Sequence, residues 1–143
     1  MPIRRAEATW KSDLAGAHGW IKTETGALEA TYSAASRFEE GTGTNPEELL
    51  GAAHAGCFSM ALSNELSEAG HKPNAVDTTA KVTIEKQGEG FAITSIALST
   101  KCDVPGIDHE TFHSIANGAK ENCPVSKALS AVPISLEAEL VSS

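Results

Sequence analysis

Cys57, Cys102 and Cys123 have the widest chemical reach in this sequence, because a thiolate is a nucleophile, a metal ligand and a redox centre. Three cysteines are an odd number and do not form the framework of a secreted disulfide scaffold. Cys57 closes the run Leu49-Leu50-Gly51-Ala52-Ala53-His54-Ala55-Gly56, which is small or apolar almost throughout. A thiol buried there has its pKa raised by desolvation and stays inert unless a cation or hydrogen-bond donors hold the thiolate. Cys123 precedes Pro124 at the start of a helical stretch, where unpaired amides favour negative charge and lower a thiol pKa. A large cation, Arg37, opens the segment 36–44, which its glycines and hydroxyls mark as a loop.

The elements that must position these groups begin with three short strands, Ala6 to Trp10, Trp20 to Thr23 and Ala27 to Tyr32, broken by Gly16, Gly19 and Gly26. The strongest local signal is Thr44-Asn45-Pro46-Glu47-Glu48: Asn45 suits an N-cap, Pro46 the first helical position and Glu48 the acid of a capping box. A helix then runs to Ala69, stopped by Gly70, with a length of roughly 36 Å at 1.5 Å per residue. Its first half has no polar face, so burial on all sides is expected, against a sheet and a second helix. A chain of 143 residues has little material to wrap such a rod, which points to dimerisation through it. Val76 to Glu85 alternates and returns through Gly88 and Gly90 into Phe91 to Thr100, a hairpin. A second helix spans Asp108 to Asn122 on the stripe Phe112, Ile115 and Ala119. Val132, Ile134, Leu136, Ala138 and Leu140 face one side of a final strand. The order of elements is that of an α+β domain filling 1–143, not of a doubly wound nucleotide fold.

Within the long helix, Glu47 lies about 80° around the axis from Cys57 and Glu48 about 180°. Glu47 is the better partner for site chemistry and Glu48 the better cap. Ten residues nevertheless separate Glu47 from Cys57 by roughly 15 Å along the axis, so the two cannot touch within one straight helix. A later helix start, a bend, a bridging Arg37 or a second chain would each resolve this.

The runs Arg37-Phe38-Glu39, Gly43-Thr44-Asn45-Pro46-Glu47-Glu48-Leu49, Ala52-Ala53-His54-Ala55-Gly56-Cys57-Phe58-Ser59-Met60 and Asn122-Cys123-Pro124-Val125-Ser126 together resemble the OsmC/Ohr hydroperoxide reductases, in their osmotically inducible protein C branch. The resemblance covers essentially the whole chain. It implies an intertwined homodimer, with long central helices enclosed by antiparallel sheets. It also implies that Cys57 attacks a peroxide, that Cys123 resolves the product, and that Arg37 and Glu47 complete the site. The resulting activity is reduction of organic hydroperoxides and hydrogen peroxide through a Cys57 sulfenic acid and a Cys57–Cys123 disulfide. An external dithiol, such as a lipoylated protein, reopens that bond. No cofactor or metal is called for, and Cys102 has no part in the motif. A pocket lined by Phe58 and Met60 near Cys57 would favour alkyl hydroperoxides.

Composition agrees with an ordinary soluble domain, at 41% hydrophobic and 21% charged residues. The net charge of -8 works against a nucleic-acid or anionic-membrane partner, and no apolar run reaches the length of a membrane span, so the cytoplasm is the expected location. Two rival readings remain. His54 and Cys57 are spaced i,i+3 and His109 and His113 i,i+4, which permits metal chelation, although packed or solvated histidines are the ordinary outcome. A non-enzymatic stress, sensor or ligand-binding module would consume peroxide once and stop, whereas a catalyst turns over.

Overall fold

The computed structural model describes residues 2–11 and 18–142. The chain divides into two compact units, Met1–Leu49 and Leu50–Ser143.

In the first unit, β1 (Ala6–Lys11), β2 (His18–Thr23) and β3 (Glu29–Ser33) form an antiparallel meander in the order β1-β2-β3. Gly16 lies outside the described residues. Gly19 does not break the chain as expected from its type; it sits inside β2, paired with Trp10 on one side and Tyr32 on the other. A Cβ there would stand 2.1 Å from the Thr9 carbonyl oxygen and 2.9 Å from the Tyr32 ring. The missing side chain lets Trp10 and Tyr32 meet edge to face, with centroids 5.1 Å apart.

The segment read as a loop from Ser36 begins helically instead. The short helix α1 (Ala34–Phe38) starts from a capping box in which Ser33 and Ser36 exchange side-chain and backbone hydrogen bonds. The buried Ser36 hydroxyl also donates to the Thr44 carbonyl at 2.7 Å, and the Asn45 side-chain amide donates to the Ser36 carbonyl at 2.9 Å. These bonds tie the turn carrying Arg37 to the start of the next helix.

That helix, α2 (Pro46–Glu68), starts as its sequence requires: the Glu48 amide donates to the Asn45 side-chain oxygen at 2.7 Å. Glu48 accepts from the Thr44 hydroxyl rather than closing the box on Asn45. At the other end Gly70 adopts φ +90°, and the His71 and Gly70 amides return to the Leu66 and Ser67 carbonyls, a Schellman ending.

In the second unit, β4 (Ala75–Gln87), β5 (Gly90–Asp103) and β6 (Ile134–Ser142) form a sheet in the order β4-β5-β6. The expected hairpin is β4–β5, turning at Gly88 with φ +61°. Antiparallel pairing holds there and throughout the first sheet, but β6 joins β5 in parallel. The connection that permits this carries α3 (His109–Asn122) and α4 (Pro124–Ala128). Asp108 caps α3 by accepting from the Thr111 amide at 3.0 Å.

The core of this unit packs Phe58, Leu62 and Leu66 of α2 with Ile96 and Leu98 of β5 and Phe112, Ala116 and Ala119 of α3. Residues four apart on α2 face the sheet, and Ser59 is tied to it by a hydroxyl chain through Thr78 to Thr100. The expectation that α2 is buried on every side fails within one chain: Ala52, Ala53 and Gly56 are exposed, and Met60 is 78% exposed. Phe58, by contrast, is fully enclosed. Phe58→Ala should cost about 3–5 kcal/mol of stability, read as a lower urea midpoint with little change in slope; an unchanged midpoint would place Phe58 outside the core.

Candidate active site

The second unit brings Cys57 and Cys123 together. Cys57 lies mid-way along α2, and Cys123 ends α3 and begins α4, its amide bonded back to the Ala119 carbonyl. Their Sγ atoms are 2.9 Å apart, as free thiols. A disulfide bond is about 2.05 Å long, so a small approach of the two sulfurs separates the reduced pair from the oxidised one. Cys123 is fully buried and Cys57 partly exposed.

The two thiols are pushed in opposite directions. Burial, followed by the hydrogen bond with Cys123, raises the Cys57 pKa, against a weaker pull from the Val125 amide. Burial also works to raise Cys123, but the hydrogen bond from Cys57, the amide and hydroxyl of Ser126 and the Val125 amide together outweigh it and lower the pKa. A thiol hydrogen rotates, so either sulfur can donate across 2.9 Å. The Val125 amide lowers both thiols, and the Ser126 amide lowers Cys123 alone. No strict capping bond closes from α4 to the sulfur; the influence is that of donors gathered at a helix start.

His54 lies one turn before Cys57 on α2 and is fully buried, its Nε2 2.7 Å from the Ser126 hydroxyl. Its buried Nδ1 has no hydrogen-bond partner among the described residues. Sequence reasoning missed the part of Ser126: nothing in a spacing of 72 residues points from His54 to it. Desolvation lowers the His54 pKa. The unfolded chain therefore binds the proton more readily, and the stability His54 contributes is complete above about pH 6.5, then lost as pH falls toward the lowered folded value. Urea midpoints at pH 7.5 and 5.0 should diverge less in His54→Gln than in the parent chain; equal divergence would contradict this.

The first unit holds the other two expected site residues. Arg37 Nε and Nη2 donate to Glu47 Oε1 and Oε2, each at 3.0 Å, a bidentate pair in which Glu47 is buried and the guanidinium is 37% exposed. Glu47, not Glu48, is the acid that meets the arginine. Because α2 begins at Pro46, a later helix start does not account for the axial separation of Glu47 from Cys57. Beside the guanidinium, Trp10, Tyr32, Ser33, Ala34 and Phe38 line a cleft of about 240 Å³. Within one chain Phe58 and Met60 do not line a common pocket, since Phe58 is in the core and Met60 is on the open face of α2.

Cys102 stands apart from these groups. It is fully buried on β5 beside the Thr100 hydroxyl, and burial raises its pKa. Among the described residues no helix is long and apolar enough to cross a membrane. His109 and His113 stack on α3 with ring centroids 6.3 Å apart.

An α+β fold that brings together two free thiols, one mid-helix and partly exposed and one enclosed at a helix start, is that of a thiol–disulfide redox protein. The chain belongs to the OsmC-like protein family, whose model matches residues 39–137. Glu47, Cys57 and Cys123 fall inside that span; Arg37 lies just before it. The chain is 50% identical over 140 residues to the peroxiredoxin OsmC of Escherichia coli strain K12, covering 97% of each. It is 31% identical over 116 residues to the organic hydroperoxide resistance protein OhrB of Bacillus subtilis strain 168, covering 79% of this chain and 82% of the relative. The crystal structure of the Bacillus subtilis OhrB superposes with a TM-score of 0.71 at 29% identity, over 95% of this chain and 97% of that one.

Proposed function

We propose that this protein is a cysteine-based peroxidase that reduces organic hydroperoxides, and hydrogen peroxide, with a dithiol as the electron source. The observation that carries this reading is the pair of free thiols with sulfurs 2.9 Å apart. In the first step the Cys57 thiolate attacks the distal peroxide oxygen: an S–O bond forms, the O–O bond breaks, and the departing alkoxide takes a proton to leave as alcohol. In the second step Cys123 attacks the Cys57 sulfenic acid, forming the disulfide and releasing water. A dithiol, such as a lipoylated protein, then reduces the disulfide by exchange.

The lowered pKa of Cys123 favours the opposite assignment, with Cys123 attacking first. Access decides against it, because a peroxide must reach the attacking sulfur and Cys123 is fully enclosed. Cys57 then needs a cation to draw the charge to its side. The family resemblance assigns that part to Arg37, which Glu47 orients and whose fixed N–H groups can also meet the departing oxygen.

The chain works as one OsmC-like domain in a homodimer, in the reducing cytoplasm. The exposed stripe Ala52, Ala53, Gly56 and Met60 on α2 supports this, since small residues let a second helix approach closely. Steady-state assays with dihydrolipoamide should show many turnovers of cumene hydroperoxide per chain. Consumption that stops at one equivalent would instead identify a scavenger or sensor.

A further inference from the structure

The junction between α3 and α4, which carries Cys123, is tied to α2 by three side-chain contacts. Ser126 Oγ stands 2.7 Å from His54 Nε2, the Cys123 sulfur 2.9 Å from that of Cys57, and the Asn122 side-chain amide donates to Glu65 Oε1 at 3.0 Å. The two partners run in opposite order, His54, Cys57 and Glu65 of α2 meeting Ser126, Cys123 and Asn122. The redox pair is the middle contact. Eleven residues at about 100° each return Glu65 to within about 20° of His54 around the α2 axis, so the two outer bonds leave one face of that helix.

Packing alone would not choose these outer residues. His54 is fully buried, yet its Nδ1 has no hydrogen-bond partner among the described residues, and the same is true of the buried Glu65 Oε2. Each such atom costs stability, and an apolar pair in place of His54 and Ser126 would avoid that cost. What an apolar pair lacks is direction: burial of apolar surface is non-directional, whereas a hydrogen bond fixes one relative position.

We propose that His54–Ser126 and Glu65–Asn122 form a two-point clamp that seats the α3–α4 junction on α2 and keeps the Cys123 sulfur against Cys57 for the resolving step. All four are positioning residues that act through Cys123. The clamp rests on the peroxidase reading and deepens it. In the resolving step the S–S bond forms, the S–O bond of the Cys57 sulfenic acid breaks with its electron pair on oxygen, and the oxygen takes a proton to leave as water. In the competing step a second hydroperoxide transfers its distal oxygen to the same sulfur, giving sulfinic acid and alcohol. Cys123 prevails only while it is seated, because an open junction carries its sulfur out of reach.

The test is the fraction of Cys57 converted to sulfinic acid per turnover, read by mass spectrometry on folded protein with dihydrolipoamide and a fixed excess of cumene hydroperoxide. Ser126→Ala and Asn122→Ala should each raise it about threefold to tenfold, the range that the net contribution of one hydrogen bond supports. Asn122→Ala leaves Ser126 and Val125 untouched beside Cys123, so its effect reports seating rather than ionisation. Glu65→Gln keeps the accepting oxygen and should stay near the parent. The double variant His54→Leu with Ser126→Ala replaces the buried polar pair by apolar groups. Its urea midpoint should hold or rise while the sulfinic fraction still climbs, which separates positioning from stability. A parent-like sulfinic fraction in either the double variant or Asn122→Ala overturns the clamp and leaves the peroxidase reading intact. Failure of the unmodified protein to form any sulfenic acid overturns both.

Discussion

Cys57→Ser should abolish hydroperoxide turnover, a loss of at least about 10³-fold, because a serine hydroxyl is far from ionised near neutral pH and makes a poor nucleophile toward an O–O bond. The substitution is nearly isosteric and Cys57 is only partly buried, so the fold should survive and the loss should be chemical. Cys123→Ser separates the two thiols. It should still consume one equivalent of peroxide, then stall as sulfenic acid and pass on to sulfinic acid under excess peroxide. Full turnover by Cys57→Ser would remove the nucleophile from this account. A Cys123→Ser protein that consumed nothing while Cys57→Ser consumed one equivalent would exchange the two roles.

Arg37→Ala should lower the rate of sulfenic-acid formation by about 10²–10³-fold, the usual effect of removing a donor aimed at developing charge. Arg37→Lys should fall between, since an ammonium keeps the charge but cannot reproduce the two parallel bonds to Glu47. Removing the guanidinium leaves the buried Glu47 carboxylate without its partner, so the folded fraction must be measured beside the rate. Stopped-flow reaction with cumene hydroperoxide on folded protein tests this; an Arg37→Ala rate within threefold of the parent would show that Cys57 draws its charge stabilisation from elsewhere.

Much of the fold was legible because its signals are local. Asn45-Pro46 and Gly70 bound α2 in the sequence as they do in the structure, and the strict alternation of β4 and β6 reflects one covered and one open face. Non-local packing was not legible. Gly19 reads as a break by type but sits inside β2 between Trp10 and Tyr32, where a Cβ would meet the Thr9 carbonyl, and the parallel seat of β6 depends on the path of α3 and α4. The four candidate site residues were recognisable as a combined motif, and helical geometry alone preferred Glu47 over Glu48. The contact of His54 with Ser126 had no local signature, since each residue taken alone reads as ordinary core or cap. The opposite shifts of the two thiols likewise arise from non-local burial and from the hydrogen bond between them, with the Ser126 amide and hydroxyl acting on Cys123 alone.

Peptide mapping of the reduced protein after one equivalent of cumene hydroperoxide should show a single cross-link joining the Cys57 and Cys123 peptides, formed with one alcohol released per chain, and Cys102 recovered as a free thiol. A disulfide containing Cys102, or peroxide reduced with both Cys57 and Cys123 still free, would contradict the two-cysteine mechanism.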